Sequence, residues 1–574
     1  MSSLYRQLLL TSVSTGVLAV ALASHSFSDE LVIDGPETTT QAINGFPYDS
    51  IIITGDGSIT TTGDYQPGIY SIGYGNTIIN EGAIRTSGEK SYGISSSSSR
   101  GEITNSGDIR TYGNEAFGIL NTGSDTVITN SGDIRTYDEY AIGIFNSLAD
   151  NVKINNSGDI RTHEYYADGI YNSGAYATIT NSGDIVTEAA RAAGIYNNGY
   201  RAVIINSGSV RTSDDYAPGI FNAGGYNARI TNSGDIRTEG YYSDGITNTG
   251  ENSKITNSGD IRTSGDEAAG IYNDGDDARI TNSGVIISER SSAILIWSGS
   301  GGTTVNLNAP GFLGGAITFE AETTLNLTTG ASHSVLWQLP TTDVAGGQAN
   351  ISGPVPWFYD STTGQFATFD PTGLTASFNQ MANTANMLGR LGRYGLRQTG
   401  QSGPPAAPAA LVYENGAGQS TESFDVLLAT NSGPEIAYGP ASGRFWLTGF
   451  GGQTNYDGDD TTLDHTIDQI GAALGYAWKQ SQEMRLGVMA GYMNGSITSE
   501  STFADSQDID SNGVFAGVYG DRRFGRLILG LGLAGGWQTN DSSRFVNDTT
   551  ALTGGLTLGE STADASYDSW FVTP

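Results

Sequence analysis

Residues 105–129 read NSGDIRTYGNEAFGILNTGSDTVIT, and residues 130–155 return to the same text as NSGDIRTYDEYAIGIFNSLADNVKIN. The Asn-Ser-Gly motif starts at Asn105, Asn130, Asn156, Asn181, Asn206, Asn232, Asn257 and Asn282, with a variant at Asn80, in steps of 25 or 26 residues. A second motif, Gly-Ile, begins at Gly118, Gly143, Gly169, Gly194, Gly219, Gly245 and Gly270, always 13 residues after the preceding Asn. Both 26-residue units therefore carry their extra residue after Gly-Ile, in NSLADNVK and NAGGYNAR. A repeat this regular predicts a solenoid with one tolerant loop per turn.

The apolar columns select the kind of solenoid. Isoleucine stands at −2, +4 and +14 from the motif Asn, as in Ile103, Ile109 and Ile119, or Ile255, Ile261 and Ile271. Three short β-branched segments separated by Asn-Ser-Gly and Asn-Gly turns read as three strands per coil. Helical repeats need longer amphipathic runs and fewer glycines. The expectation is an all-β parallel β-helix of about ten coils, roughly 50 Å long at about 4.8 Å per coil. In Asp108-Ile109-Arg110 the Ile points inward, so the Asp and Arg columns lie outside and compensate one another. Their spacing departs from the calcium-binding Gly-Gly-x-Gly-x-Asp repeat, and neither metal nor cofactor is expected. The Asn columns read as turns with stacked amides.

Composition agrees with this reading. Glycine at 80 of 574 residues with only 15 prolines excludes collagen, and 37% hydrophobic residues argue against disorder. A net charge of −33 disfavours nucleic acid and anionic lipid as partners. The absence of cysteine removes disulfides and thiolate chemistry. Arg6, the apolar run Leu8–Ala23 and the closing Ala21-Leu22-Ala23 read as a signal peptide over 1–23, cleaved after Ala23.

The variable stretch ahead of Gly-Ile reads YGNEAF, YDEYAI, HEYYAD, SDDYAP and EGYYSD in different coils. Tyr112, Tyr137, Tyr140, Tyr165, Tyr166, Tyr216, Tyr241 and Tyr242 would line one edge among carboxylates. Such an edge can bind sugars or proteins, or merely cover the coil corner. The four histidines, His25, His163, His333 and His465, lie far apart and outside any His-Glu-x-x-His context, so no enzyme is expected.

Beyond Trp297 the register lapses. TTVNL, FLGGAITF and TTLNL predict last coils and a cap over 301–345. In the linker, 346–440, Leu374, Phe378, Met381, Ala385 and Leu388 predict a helix over about 371–398 with Arg390, Arg393 and Arg397 at its end, followed by the Pro-rich Gly400–Ala410. From 441 to 574, segments such as Ile470–Trp478 and Leu527–Leu533 alternate large apolar with small residues and end in aromatics, as strands of an outer-membrane barrel do.

Taken in order, signal peptide, repeats over 24–300, helix-bearing linker and barrel strands opening GRFWLTGFGG, the chain resembles the autotransporter family of Gram-negative bacteria. The resemblance implies a β-helical passenger displayed at the cell surface by a barrel in the outer membrane, reached through the periplasm with help from export and barrel-assembly machinery. It implies that the helix occupies the barrel pore. Twelve strands would be implied, while only about five are legible with a sixth starting at Tyr567, so the expectation is the N-terminal part of a barrel that lacks roughly its other half. Passenger release would be implied at adjacent asparagines, but Asn383 and Asn386 are separated. The resulting expectation is a non-enzymatic adhesin or interaction rod that meets a host or neighbouring-cell protein or glycan. The alternatives are a polysaccharide-degrading enzyme and a ligandless spacer.

Overall fold

The computed structural model describes residues 30–43, 49–331, 334–398, 443–499, 507–549 and 560–573. The signal peptide with Ala23, residues His25 and His333, and the linker stretch Gly400–Ala410 lie outside them.

Each repeat forms one coil of three strands, for example Glu102–Asn105, Asp108–Thr111 and Ile119–Asn121. Coils stack in parallel and in register, so that Ile103 pairs with Ile128, Ile109 with Ile134 and Ile119 with Ile144. The first-face strands make one fourteen-stranded sheet from Glu30–Ile33 to Asn350–Ser352. At about 4.8 Å per strand the rod is about 60 Å long, more than the repeats alone indicate. The stacked isoleucines form a single core and are almost without solvent contact. Each buried isoleucine stabilises the coil by roughly 1.5–3 kcal/mol.

The asparagine columns are ladders of side-chain amides inside the turns. From Asn80 to Asn282 each Nδ2 donates to the Oδ1 of the Asn one coil on, at 2.6–2.8 Å. A second ladder runs from Asn121 to Asn273. The inserted residues of the 26-residue units sit in the loop between the two ladders, and both ladders continue past them. Outside, Arg110 pairs with Asp108 at 2.9 Å and Arg135 with Asp133 at 2.9 Å, as the columns predict.

The solenoid sheet passes the expected boundary at 345. Asn350–Ser352 adds a further rung, and the hairpin Trp357–Asp360/Gln365–Thr368 covers the end. These turns lack Asn-Ser-Gly, so periodicity could not mark them. The helix then runs over Thr372–Gln398.

Six long strands follow: Gly443–Tyr456, His465–Lys479, Met484–Ser499, Gln507–Phe524, Leu527–Asp548 and Glu560–Thr573, each antiparallel to the next. The sixth begins at Glu560 rather than Tyr567, where its polar opening residues hid it. Phe445, Leu447, Ile470, Leu474, Val488, Val514, Val518, Leu531, Trp570 and Val572 face outward and exposed, the apolar band of a membrane barrel. No helix among the described residues is long and apolar enough to cross a membrane.

The helix lies against the inner face of this sheet. Leu388, Leu391 and Leu396 pack on Trp446, Phe450, Met489, Phe515 and Tyr519. The apolar stripe read from the sequence is only partly the buried one. Leu374 and Phe378 are exposed, and Ser377, Gln380 and Thr384 are buried. The interior explains this: Gln380 Oε1 accepts from Ser511 Oγ at 3.1 Å and from Gln538 Nε2 at 3.0 Å. Thr384 Oγ1 accepts from Gln469 Nε2 at 3.0 Å. The barrel wall is polar there, so the helix turns polar residues toward it.

The direction of the helix follows from its ends. Leu463 N, in a long connection, donates to Thr372 Oγ1 at 2.8 Å, whereas Arg485 Nη1, beside a short turn, donates to Leu396 O at 2.8 Å. Short turns face the periplasm in such barrels and long loops the exterior. The helix therefore enters from the exterior end, where the solenoid stands.

Candidate functional site

The solenoid carries an open groove of about 680 Å³ on the corner that precedes each Gly-Ile motif. Gly-Ile itself fixes the corner. A Cβ on Gly169 would lie 2.3 Å from Ile185 Cγ2 and 2.6 Å from Gly194 O, so the coil approaches its neighbour as closely as only glycine allows. The residue just before that glycine forms the groove floor: Ile142, Asp168, Ala193, Pro218 and Asp244 in successive coils.

One wall is a column of residues held at positive φ: Tyr140, Tyr166, Arg191, Tyr216 and Tyr242, at 50–58°. The opposite corner of the coil needs the same conformation and fills it mostly with Asp and Asn, among them Asp125, Asn151, Asn227, Asn252 and Asp277. Those residues reach it cheaply; tyrosine does not. Tyr140 stacks on Tyr166 at 5.3 Å, and Tyr216 on Tyr242 at 5.7 Å. Arg191 fills the missing rung, with Cζ 5.6 Å from the Tyr166 ring and 5.5 Å from Tyr216, and donates to Tyr166 Oη at 2.6 Å. The other wall comes from the residue after Gly-Ile. Tyr171 stacks on Tyr196 at 4.5 Å, and Tyr196 meets Phe221 edge-on at 5.1 Å.

Two carboxylates sit on this floor. Asp168 Oδ1 accepts from Ala193 N at 2.6 Å. Asp244 Oδ1 accepts from Ala269 N at 2.8 Å, and its Oδ2 from Thr247 Oγ1 at 2.8 Å. Both side chains are buried, at 5% and 8% exposure. Burial pushes the Asp168 carboxyl well above the usual range and that of Asp244 up to about 7, each only partly offset by its hydrogen bonds. Burial likewise pushes the Tyr196 hydroxyl up to about 12, whereas the Arg191 hydrogen bond lowers that of Tyr166.

The eight tyrosines singled out from the sequence separate into three groups. Tyr140, Tyr166, Tyr216 and Tyr242 line the groove. Tyr165 and Tyr241 buttress that wall, 4.4 Å from Tyr166 and 4.3 Å from Tyr242. Tyr112 and Tyr137 belong to a different stack, with Tyr137 4.7 Å from His163, whose Nδ1 lies 2.8 Å from Glu188. Sequence reading missed Asp168, Asp244, Arg191, Tyr171, Tyr196 and Phe221. The available signal was an Asp, twice, in a column otherwise holding Tyr92, Phe117, Ile142, Ala193 and Pro218.

The two floor carboxylates do not have the spacing of a glycosidase pair. Asp168 and Asp244 are three coils apart, about 14 Å, beyond the roughly 5–9.5 Å between the paired carboxyls of such enzymes. His163 bonds to Glu188, and His465 contacts Leu463 O and Asn379; neither meets a serine hydroxyl among the described residues.

Comparison with known proteins adds three findings. Residues 445–573 match the autotransporter β-domain family, and residues 14–148 match the BigA third pectate lyase-like domain. Two sequences named extracellular serine protease, both from Serratia marcescens, are 31% identical over 102 residues, 18% of this chain. The chain spans about a tenth of the length of these relatives, 9% in each case. No solved structure matches.

Proposed function

The chain belongs to the autotransporters, whose β-domain occupies residues 445–573, and from that premise we propose that its solenoid is a surface-displayed rod that binds elongated glycans along the tyrosine-walled groove. An autotransporter β-domain implies residence in the outer membrane of a Gram-negative bacterium and secretion to the cell surface. The observation that carries the reading is the groove. Two aromatic ladders, one held in a conformation costly for tyrosine, flank a floor with recessed acceptors. Aromatic faces stack on sugar rings, and recessed carboxylates accept hydroxyl donors. A groove that repeats from coil to coil suits a ligand that repeats along its length. On this reading the displayed solenoid is an adhesin whose partner is a host or neighbouring-cell glycan.

The test is a glycan-array screen of the full chain in detergent micelles, repeated with Tyr140, Tyr166, Tyr216 and Tyr242 changed to serine. Binding of linear glycans should fall at least about tenfold in the variant while export and folding persist. Undiminished binding would place the ligand elsewhere. The polysaccharide-degrading alternative draws on the pectate lyase-like match. Release of new reducing ends or unsaturated products from any bound glycan would establish it over the adhesin.

A further inference from the structure

We propose that the groove is built for a linear polysaccharide carrying free amino groups, with ammonium groups seated on Asp168 and Asp244. The inference rests on the glycan reading above and names the chemistry that reading leaves open.

The floor carboxylates are short of partners. Asp168 accepts a single hydrogen bond, on Oδ1, and its Oδ2 accepts none among the described residues. Asp244 accepts one neutral donor on each oxygen, an amide and a hydroxyl. Neither is ion-paired among the described residues. Among the described residues the one cation lining the groove, Arg191, is engaged by Tyr166 Oη and by the rings of Tyr165, Tyr166 and Tyr216. A buried carboxylate without a counter-charge is costly to ionise, and a ligand ammonium supplies that charge. A neutral hydroxyl does so only weakly.

The walls suit the same group. Tyrosine faces attract cations, and this protein already uses them so. Arg191 lies on the groove wall itself, Lys90 lies 5.8 Å over Tyr65, and Arg201 lies 5.0 Å over Tyr200. The net charge of −33 draws a cationic chain toward the rod before it docks.

Two features favour a polysaccharide over a basic peptide. The backbone at the floor is spent between coils: Gly143 N donates to Asp168 O, Gly169 N to Ala193 O, Gly194 N to Pro218 O and Gly219 N to Asp244 O. No sheet edge is left for an added peptide strand. Between the acids the floor is Ala193 and Pro218, small and flat beneath facing aromatics, which suits sugar rings. The separation of about 14 Å between Asp168 and Asp244 demands an oligomer, because no single sugar reaches both.

The experiment is titration calorimetry of the full chain in micelles at about pH 6, where an amino sugar is charged and seating its ammonium releases to the buffer the proton that burial keeps on Asp244. The probes are a β-1,4-linked glucosamine hexamer, its fully N-acetylated counterpart and the glucosamine monomer. The free-amine hexamer should bind at least about tenfold more tightly than the acetylated one, and the monomer far more weakly. Asp168→Asn and Asp244→Asn keep the acceptor for Ala193 N and Ala269 N, and each should shrink the tenfold preference while sparing the acetylated hexamer. Asp108→Asn with Asp133→Asn, outside the groove, should leave it intact. A preference near one in the parent, or one that survives in the Asp168→Asn/Asp244→Asn double variant, overturns the proposal. If only the acetylated hexamer binds, the amino-group assignment falls and the glycan groove stands. If the glycan array and both hexamers show no binding, both fall.

Discussion

Asp244 sits where a hydrophobic residue would pack, and its proton is the consequence. The folded state raises its pKa from the ordinary 3.8 to about 7 by burial, so the folded chain binds more protons than the unfolded one between those values. An acid of this kind contributes its stability in full below about pH 4 and loses it as pH rises through about 7. Asp244→Asn keeps the acceptor for Ala269 N without the charge. The variant should therefore melt above the parent at pH 8 by the equivalent of roughly 2–4 kcal/mol, and the gap should close near pH 4. Thermal melts at the two pH values read this directly; a gap of equal size at both would mean that the carboxyl is not neutral in the fold. The sequence pointed to the right corner of the coil but to the wrong members of it. Tyrosines are conspicuous in YYAD and YYSD, and the Asp that follows them looks like any other acid among 60 acidic residues. Aligning the coils sets it apart, placing Asp168 between Ile142 and Ala193, and Asp244 between Pro218 and Ala269.

Elements in this rod are columns as much as strands. The repeat was legible because each column is chemically uniform: isoleucine where the coil is packed, asparagine where it turns, glycine where coils touch. The asparagine column shows what that uniformity achieves. Asn181 accepts from Asn156 and donates to Asn206 at 2.8 Å, both bonds buried, and donates to Gly183 O at 3.0 Å. Asn181→Ala leaves the buried Asn206 Oδ1 without its donor and Asn156 Nδ2 with Gly158 O alone, at about 1–3 kcal/mol for the buried orphan. The damage should stay local, because each coil touches only its neighbours. Hydrogen exchange should therefore quicken in the coils around 156–206 and remain slow near 105 and 282. Uniform loss of protection along the rod would contradict nearest-neighbour stacking. Where columns end, legibility ends with them. Asn350–Ser352 continues the sheet without Asn-Ser-Gly and outside the 25-residue register, and the helix Thr372–Gln398 buries Gln380 in place of Phe378 because the surface it meets is polar. Its amphipathic pattern gave its existence and bounds; the polarity of a partner more than a hundred residues away decided its face.

For the whole molecule the decisive contact is the one between rod and barrel. The fifth barrel strand outruns its neighbours at the exterior end, and Val546–Asp548 pairs in parallel with Ser334–Leu336 at the base of the solenoid. Asn547 is the fastener. Its Oδ1 accepts from Leu313 N at 3.1 Å and Trp337 Nε1 at 2.6 Å, and its Nδ2 donates to Leu313 O at 2.7 Å. Phe545 stacks on Phe312 beside it at 6.1 Å, and Thr549 Oγ1 accepts from Gln338 N at 2.8 Å. A groove some coils away can meet its ligand in a defined orientation only if the rod does not swivel on the membrane, and this junction opposes swivelling with directional bonds rather than with area. Asn547→Ala leaves three groups on the solenoid side without these partners, at about 1–3 kcal/mol each where they are buried. Asn547 is also the last rung of the pairing with the sixth strand, but that pairing runs through backbone that alanine keeps, and the helix contacts lie elsewhere. The variant should thus reach the surface and keep the heat-modifiable migration of a folded barrel, yet gain a protease-sensitive site between 334 and 368. Cleavage there as slow as in the parent would show that strand pairing alone holds the rod upright, and loss of barrel migration would show that Asn547 supports the barrel instead.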